Sequence, residues 1–248
     1  MVELEDVREL AGRAFGEWAL RKLDPEWTTE RISHEPTRRL VTELGLPIQG
    51  PAHYSLMMSE DSRWPTVRDF FADNRPEVLE TRMCTEFGHY LFFADLNGEN
   101  VFLDPESGGV YWFPGPHETA KNVLVNSGVA EFLTFLAQIE INRVTEPIEA
   151  LRDSDEDVEE EYDRALRSIL DGIVNGVRNV DPAAFPADPE DDGGLDTFWY
   201  PWLLKWGDDD FAFDSWSWNR HAAEYFAAHG IDDLAEREPR HPVDLSQH

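Results

Sequence analysis

Val101-Phe102-Leu103-Asp104-Pro105-Glu106-Ser107-Gly108-Gly109-Val110-Tyr111-Trp112-Phe113 reads as an apolar run, a turn and a second apolar run. The flanks are aromatic and β-branched, the composition that suits a pleated, half-buried surface, and Asp104-Pro105 opens a turn because proline presets φ. Just upstream, Tyr90 to Ala94 and Asn100 to Leu103 are separated by Asp95-Leu96-Asn97-Gly98-Glu99, whose Asn-Gly pair is the strongest short-range signal for a hairpin. The three runs therefore predict an antiparallel meander.

Working outward toward the C-terminus, Val123 to Val125 predicts another strand after Pro114-Gly115-Pro116. Ser127 then stands where an N-cap belongs, before a helix whose apolar face holds Val129, Phe132, Leu133, Phe135, Leu136 and Ile139. Toward the N-terminus, apolar positions from Val2 to Leu23 recur at three- and four-residue steps, an amphipathic helix ended by Asp24-Pro25. A second helix is predicted from after Pro36 to Leu44, where Gly45 supplies a stop and Pro47 blocks resumption. The pattern gives an α+β class: a mixed or mainly antiparallel sheet with a central meander, packed by helices on one side.

Beyond this body, nine acidic residues fall between Glu149 and Asp163, with Arg152 and Arg164 on either side of the densest block. That composition reads as a solvated linker or helix face. Ala165, Leu166, Ile169, Leu170, Ile173 and Val177 predict a helix from about Tyr162 to Val177, followed by a Pro-, Asp- and Gly-rich loop from Asp181 to Gly194. An aromatic cluster comes next: Phe198, Trp199, Tyr200, Trp202 and Trp206, then Phe211, Phe213, Trp216 and Trp218, interrupted by Asp208, Asp209 and Asp210. A last helix is predicted from Asn219 to His229, closed by Gly230, with a loose tail after Glu238. The expected organisation is an N-terminal helical extension over 1–27, an α+β domain over 28–206 and an acidic, Trp-rich extension over 207–248, forming one compact unit.

Composition limits the function. The 248 residues carry 21 Lys+Arg against 51 Asp+Glu, a formal charge of −30, so a phosphate backbone is repelled and direct nucleic-acid binding is disfavoured. At 41% hydrophobic and 12% aromatic, with nine Trp, the chain has the burial capacity of a folded body rather than of a disordered acidic tract. Its single cysteine, Cys84, excludes an intramolecular disulfide and a multi-thiolate metal site. The N-terminus lacks the basic start and apolar core of a signal peptide, and no apolar run approaches the length of a membrane span, which together place the protein in the cytoplasm.

The search for chemistry finds no phosphate-binding glycine loop, GxSxG elbow, HExxH helix or deaminase-type zinc signature. Asp153-Ser154-Asp155-Glu156-Asp157 begins like a calcium loop, but Val158 occupies the place of the sharp-turn glycine, so a solvated charge run is the better reading. His89 and His117 lack partners at metal-ligand spacing and read as ordinary histidines. Glu86 with Asp95, or the acids around Glu131, could pair in space, yet with so many carboxylates such proximity carries no information. No catalytic residue, metal site or cofactor is assigned. Phe198, Trp199 and Trp202, at helix-like spacing, suit the core, whereas Trp206, Trp216 and Trp218 beside acidic residues suit a partner interface.

Leu44-Gly45-Leu46-Pro47, Phe87-Gly88, the run from Val101 to Val110, and Val125-Asn126-Ser127 leading into Phe132-Leu133-Thr134-Phe135-Leu136 together resemble the SUKH superfamily of bacterial immunity proteins, closest to its fourth subgroup. Asp181-Pro182-Ala183-Ala184-Phe185 followed by Phe198-Trp199 resembles the C-terminal part of that family. The likeness spans roughly residues 28 to 205, with Gly128 standing where a second serine is common in the family. It implies an α+β domain that binds and neutralises a polymorphic toxin, often a nucleic-acid-degrading one.

The high negative charge agrees with that implication, because a nuclease presents a basic cleft to which an acidic inhibitor is steered. An organism-wide acidic bias would produce the same charge. The leading expectation is a non-enzymatic immunity protein with a basic toxin as partner, without direct nucleic-acid or membrane binding, and with its oligomeric state open. Its expected partner-binding residues are Trp206, Asp208, Asp209, Asp210, Trp216, Trp218, Asp153, Asp155 and Asp157. A scaffold or regulatory protein-binding module of the same fold is the alternative, and a hydrolase or metal enzyme built on His89 and His117 is a distant third.

Overall fold

The meander closes through its turns. In the computed structural model, which describes residues 3–50, 54–57, 62–96, 98–113, 122–142, 172, 175–176, 178–184 and 198–199, strand β5 (Leu91–Leu96) pairs with β6 (Glu99–Leu103), and β6 with β7 (Val110–Trp112). The Gly98 N–H donates to the Asp95 carboxylate at 2.8 Å, fixing the register in which Leu96 faces Glu99. Strand β8 (Val123–Asn126) follows β7 antiparallel, and β4 (Tyr54–Leu56) and β3 (Gln49–Gly50) add to the other edge. The resulting antiparallel sheet has the order β3-β4-β5-β6-β7-β8, every neighbour being the next strand in the chain. Such local connections keep loop-closure costs low.

Alternation along the strands sends side chains to two faces. Leu91, Phe93, Val101, Leu103, Val110 and Val125 join one core cluster, and Phe92, Phe102 and Phe113 another. The register between β5 and β6 shifts between Phe92 and Ala94, so Phe93 and Ala94 enter the same cluster despite being consecutive.

The first face is covered by α1 (Leu4–Phe15) and α6 (Val129–Asn142), which pack against each other. In α1 only the stripe Val7, Ala11, Ala14 and Phe15 is buried, as its amphipathic spacing requires. In α6 burial extends round the helix, with Phe132, Leu133, Phe135, Leu136, Ala137 and Ile139 all at 0% exposure. It is the central core helix, wedged between the sheet, α1 and the Trp199 ring.

The expected N-terminal helix is shorter than its apolar periodicity. Gly16, at φ 81°, ends it, and the chain passes through a single 3-10 turn into β1 (Leu20–Arg21). Asp24 does not only stop this region, because its carboxylate accepts the Trp27 N–H at 2.8 Å and caps α2 (Pro25–Arg31). The predicted helix after Pro36 is α3 (Glu35–Arg39), prolonged over Leu40–Leu44 by a wide turn in which the Gly45 N–H donates to the Leu40 carbonyl. At φ 90°, Gly45 turns the chain into β2 (Leu46–Pro47), which pairs with β1 so closely that a Cβ on Gly45 would collide with the Arg21 carbonyl.

The second face carries helices that the periodicity reading did not include: α4 (Val67–Asn74) and α5 (Arg82–Glu86). Thr66 caps α4, accepting the Asp69 N–H at 3.0 Å while donating its hydroxyl to the Asp69 carboxylate at 2.7 Å. Val67, Phe71, Met83 and Cys84 from this layer meet Tyr90, Phe92, Phe102 and Phe113.

Tyr54 is 1% exposed and its hydroxyl has no hydrogen-bond partner among the described residues, while burial holds the phenol well above its ordinary pKa. Tyr54→Phe should therefore leave stability unchanged or raise it by up to about 1 kcal/mol, because an unmet buried hydroxyl is removed. Tyr54→Ala should cost about 3 kcal/mol through the cavity it opens. Urea unfolding of the two variants checks both expectations.

Candidate partner-binding surface and the buried latch beside it

Asn126 ends β8 as a fully buried polar residue, and the exposed Ser127 leads from it into α6, so two polar residues mark the point where strand becomes helix. Both are satisfied by a residue more than fifty positions away. The Asp181 carboxylate accepts from the Ser127 backbone N–H at 2.7 Å, the Ser127 hydroxyl at 2.7 Å and the Asn126 side-chain amide at 3.1 Å. Asp181 is 2% exposed, and it begins a turn in which the Ala184 N–H returns to its carbonyl at 3.1 Å. From still further along, the Trp199 indole N–H donates to the Val125 carbonyl at 2.9 Å and to the Asn126 side-chain oxygen at 3.2 Å. Its ring stacks 4.9 Å from Phe135. These residues form a latch that fastens two C-terminal segments to the edge strand and the helix start.

Ser127 departs from its expected role. The helix begins at Val129, and the Ser127 hydroxyl donates to Asp181 rather than serving as the N-cap. Gly128, whose carbonyl accepts the Phe132 N–H at 3.0 Å, occupies the capping position.

The Asp104–Gly109 turn is built as firmly, but at the surface. The Asp104 carboxylate accepts the Glu106 N–H at 2.9 Å and the Ser107 hydroxyl at 2.6 Å, the self-bonding that lets aspartate start a turn. The Ser33 and His34 N–H groups donate to the Pro105 carbonyl at 3.0 and 3.1 Å, tying the turn to the α2–α3 junction. Gly108, at φ 79°, leaves the space that the His34 ring fills. Beside the turn, the Tyr90 hydroxyl points to Asp104 Oδ2 at 3.4 Å, and the half-buried Tyr111 ring lies 5.7 Å from that of Tyr90. Burial, then the nearby charges of Asp104, Tyr111 and Glu106, push the Tyr90 phenol well above its ordinary pKa. Glu106 and Ser107 are exposed, as is His89, whose ring meets Tyr90 edge-on at 4.9 Å.

The residues that sequence reasoning nominated for binding, Asp153, Asp155, Asp157, Trp206, Asp208, Asp209, Asp210, Trp216 and Trp218, lie outside the described residues, as does His117. Phe198 and Trp199 are buried at 5% and 0% exposure, as core packing requires. Glu86 and Asp95 have separate local partners: Glu86 pairs with Arg82 at 2.8 Å, and Asp95 holds its own hairpin turn. Desolvation raises the Asp95 pKa, partly offset by the Gly98 N–H. Cys84 is buried, and desolvation raises its thiol pKa against the opposing pull of Arg68, which is the setting of a packing cysteine. Among the described residues no group of three or more His, Cys, Asp and Glu could hold a metal ion, and no helix is long and apolar enough to cross a membrane.

Sequence reasoning gives Ser127 an N-cap role and Trp199 a core role but does not connect either to Asp181, and it reads the turn beside Tyr90 and Tyr111 only as part of a meander. The available signal was two polar residues, Asn126 and Ser127, at the join of an apolar strand and an apolar helix.

Compared with protein families, residues 7–201 match the model described as SUKH-4 immunity protein. No curated protein and no solved structure matches the chain. The matched span begins within α1 and ends two residues after Trp199, so it includes both partners of the latch.

Asp181→Ala should destabilise the fold by about 3 kcal/mol, because it strands the buried Asn126 amide and removes both bonds to Ser127. Trp199→Phe, which removes the indole donor and shrinks a fully buried ring, should cost about 2 kcal/mol. Chemical denaturation should rank the two variants in that order.

Proposed function

The chain belongs to the SUKH-4 immunity protein family, and from that premise we propose that the toxin it neutralises is a basic, nucleic-acid-degrading protein whose cleft it occludes without chemistry of its own. The observation that carries this reading is the charge. A formal −30 is not confined to one tail: residues 1–142 hold 24 acidic against 12 basic side chains, and residues 143–248 hold 27 against 9. A body of one sign throughout attracts a cationic cleft from a distance and repels the nucleic acid competing for it. The site of action on this reading is the cytoplasm, where such a toxin meets its substrate.

Within this reading the acidic stretches divide the work of binding. Asp153, Asp155 and Asp157, with Asp208, Asp209 and Asp210, supply steering charge, and Trp206, Trp216 and Trp218 supply aromatic contact area. Charges at a rim act mainly on the association rate, whereas desolvated anchors act on dissociation.

The test is capture of the partner from a source-cell lysate by the tagged chain at low salt, then co-expression with the captured toxin domain and binding kinetics on the purified pair. The chain should protect cells, and raising salt from low to high ionic strength should slow association by about ten-fold or more. Replacing Asp208, Asp209 and Asp210 together by Lys should slow association further with little change in dissociation. Protection with salt-insensitive binding would overturn the electrostatic reading, and absence of both protection and binding would overturn the toxin assignment.

A further inference from the structure

We infer that the β7–β8 end of the second sheet face, formed by Tyr111 and Leu124 and rimmed by Asp104 and Glu106, is the docking point for an arginine or lysine side chain of a basic protein partner. The inference rests on the toxin-binding reading and deepens it by naming where the partner is anchored.

The sheet register places Phe92 opposite Phe102, Phe102 opposite Tyr111, and Tyr111 opposite Leu124, so these four form one row across the second face. Cover is uneven along this row. Phe92 and Phe102, beneath α4 and α5, are each 1% exposed, whereas Tyr111 and Leu124 are only half-buried. Among the described residues, the helical layer on this face packs against Phe92 and Phe102 and leaves Tyr111 and Leu124 at its margin.

The phenol that stands at this open end is placed by the turn beside it. Tyr111 folds back over Gly109, where any Cβ would come within 2.8 Å of the ring. That position brings Tyr111 to Tyr90, whose hydroxyl points at Asp104, and the charges of Asp104 and Glu106 both act on the same hydroxyl. Asp104 is locked by the Glu106 N–H and the Ser107 hydroxyl, so its carboxylate is oriented in advance.

This combination selects its occupant. An aromatic face attracts a cation through its quadrupole, and adjacent carboxylates bind the same cation by charge-assisted hydrogen bonds. A guanidinium does both at once, stacking flat while its edge donates. An apolar partner group would desolvate Asp104 and Glu106 without return. A second copy of this chain would bring another net −30 against the first.

The probe is a short Arg-Gly-Arg-Gly peptide amide, titrated at low salt into isotope-labelled full-length protein and followed by NMR. The Tyr111 ring and Leu124 methyl signals should shift along one saturating curve. Glu106→Lys, an exposed change whose backbone bond to Asp104 is retained, should weaken that curve by about ten-fold while the amide spectrum stays folded. Tyr111→Leu should abolish the saturating response at Leu124 even though the carboxylates remain. Shifts confined to the acidic residues of 149–163 and 208–210, or an unchanged curve in Glu106→Lys, would overturn the inference. Concentration-dependent shifts of Tyr111 and Leu124 without peptide would assign the face to a second copy and overturn it as well. No toxin enters this measurement, so its failure leaves the toxin-binding reading intact, and that reading fails separately in the co-expression assay.

Discussion

A carboxylate withdrawn from water at the strand-to-helix join governs this fold. Placing Asp181 at 2% exposure carries a desolvation cost of several kcal/mol, tolerable only because three donors from Asn126 and Ser127 converge on it. The dependence runs both ways. Without Asp181, the Asn126 side-chain amide is a buried donor that loses its acceptor, at the place where β8 must stop and α6 begin. Trp199 adds a second tie to the same point and caps the Val125 carbonyl on the last strand of the sheet. An edge strand that would otherwise offer backbone groups to other chains is held by the protein's own C-terminal part.

This arrangement explains why a family-like string such as Val125-Asn126-Ser127 says little about partner recognition. Its polar atoms are consumed internally, by Asp181 and Trp199. The surface available to a partner is elsewhere, and the unequal cover of the two faces indicates where. The first face lies beneath two long helices, one of them buried on nearly all sides. Among the described residues, the second is shielded by two short helices that reach Phe92 and Phe102, while Tyr111 and Leu124 are half-buried. Rigid strands carrying a partly open aromatic row are a better platform than a mobile loop, because the anchor pays little entropy on binding.

The meander was legible because its information is local. Asn97-Gly98 and Asp104-Pro105 specify turns by backbone chemistry, and the apolar runs between them have no competing period. The helix from Val129 to Asn142 was legible through its spacing, although Ser127 was assigned the cap that falls to Gly128. Short elements were not. Strands β3 and β4 have two and three residues, too few for alternation to register, and α5 has five, little more than one turn. The latch escaped for a different reason: a hydrogen bond between Asn126 and Asp181 leaves no trace in either residue's neighbourhood except polarity at an unexpected place. The nominated acidic and Trp-rich residues came from composition, and composition does not locate a surface.

Amide hydrogen exchange at Ser127 tests the governing role of the latch most directly. Among the described residues its N–H is bonded to the Asp181 carboxylate alone, so if the C-terminal segment is integral to the fold this amide exchanges only through global unfolding, with the same free energy as the α6 core amides. Exchange at Ser127 several kcal/mol below the global value, with α6 still protected, would show that the segment detaches by itself and would contradict the account.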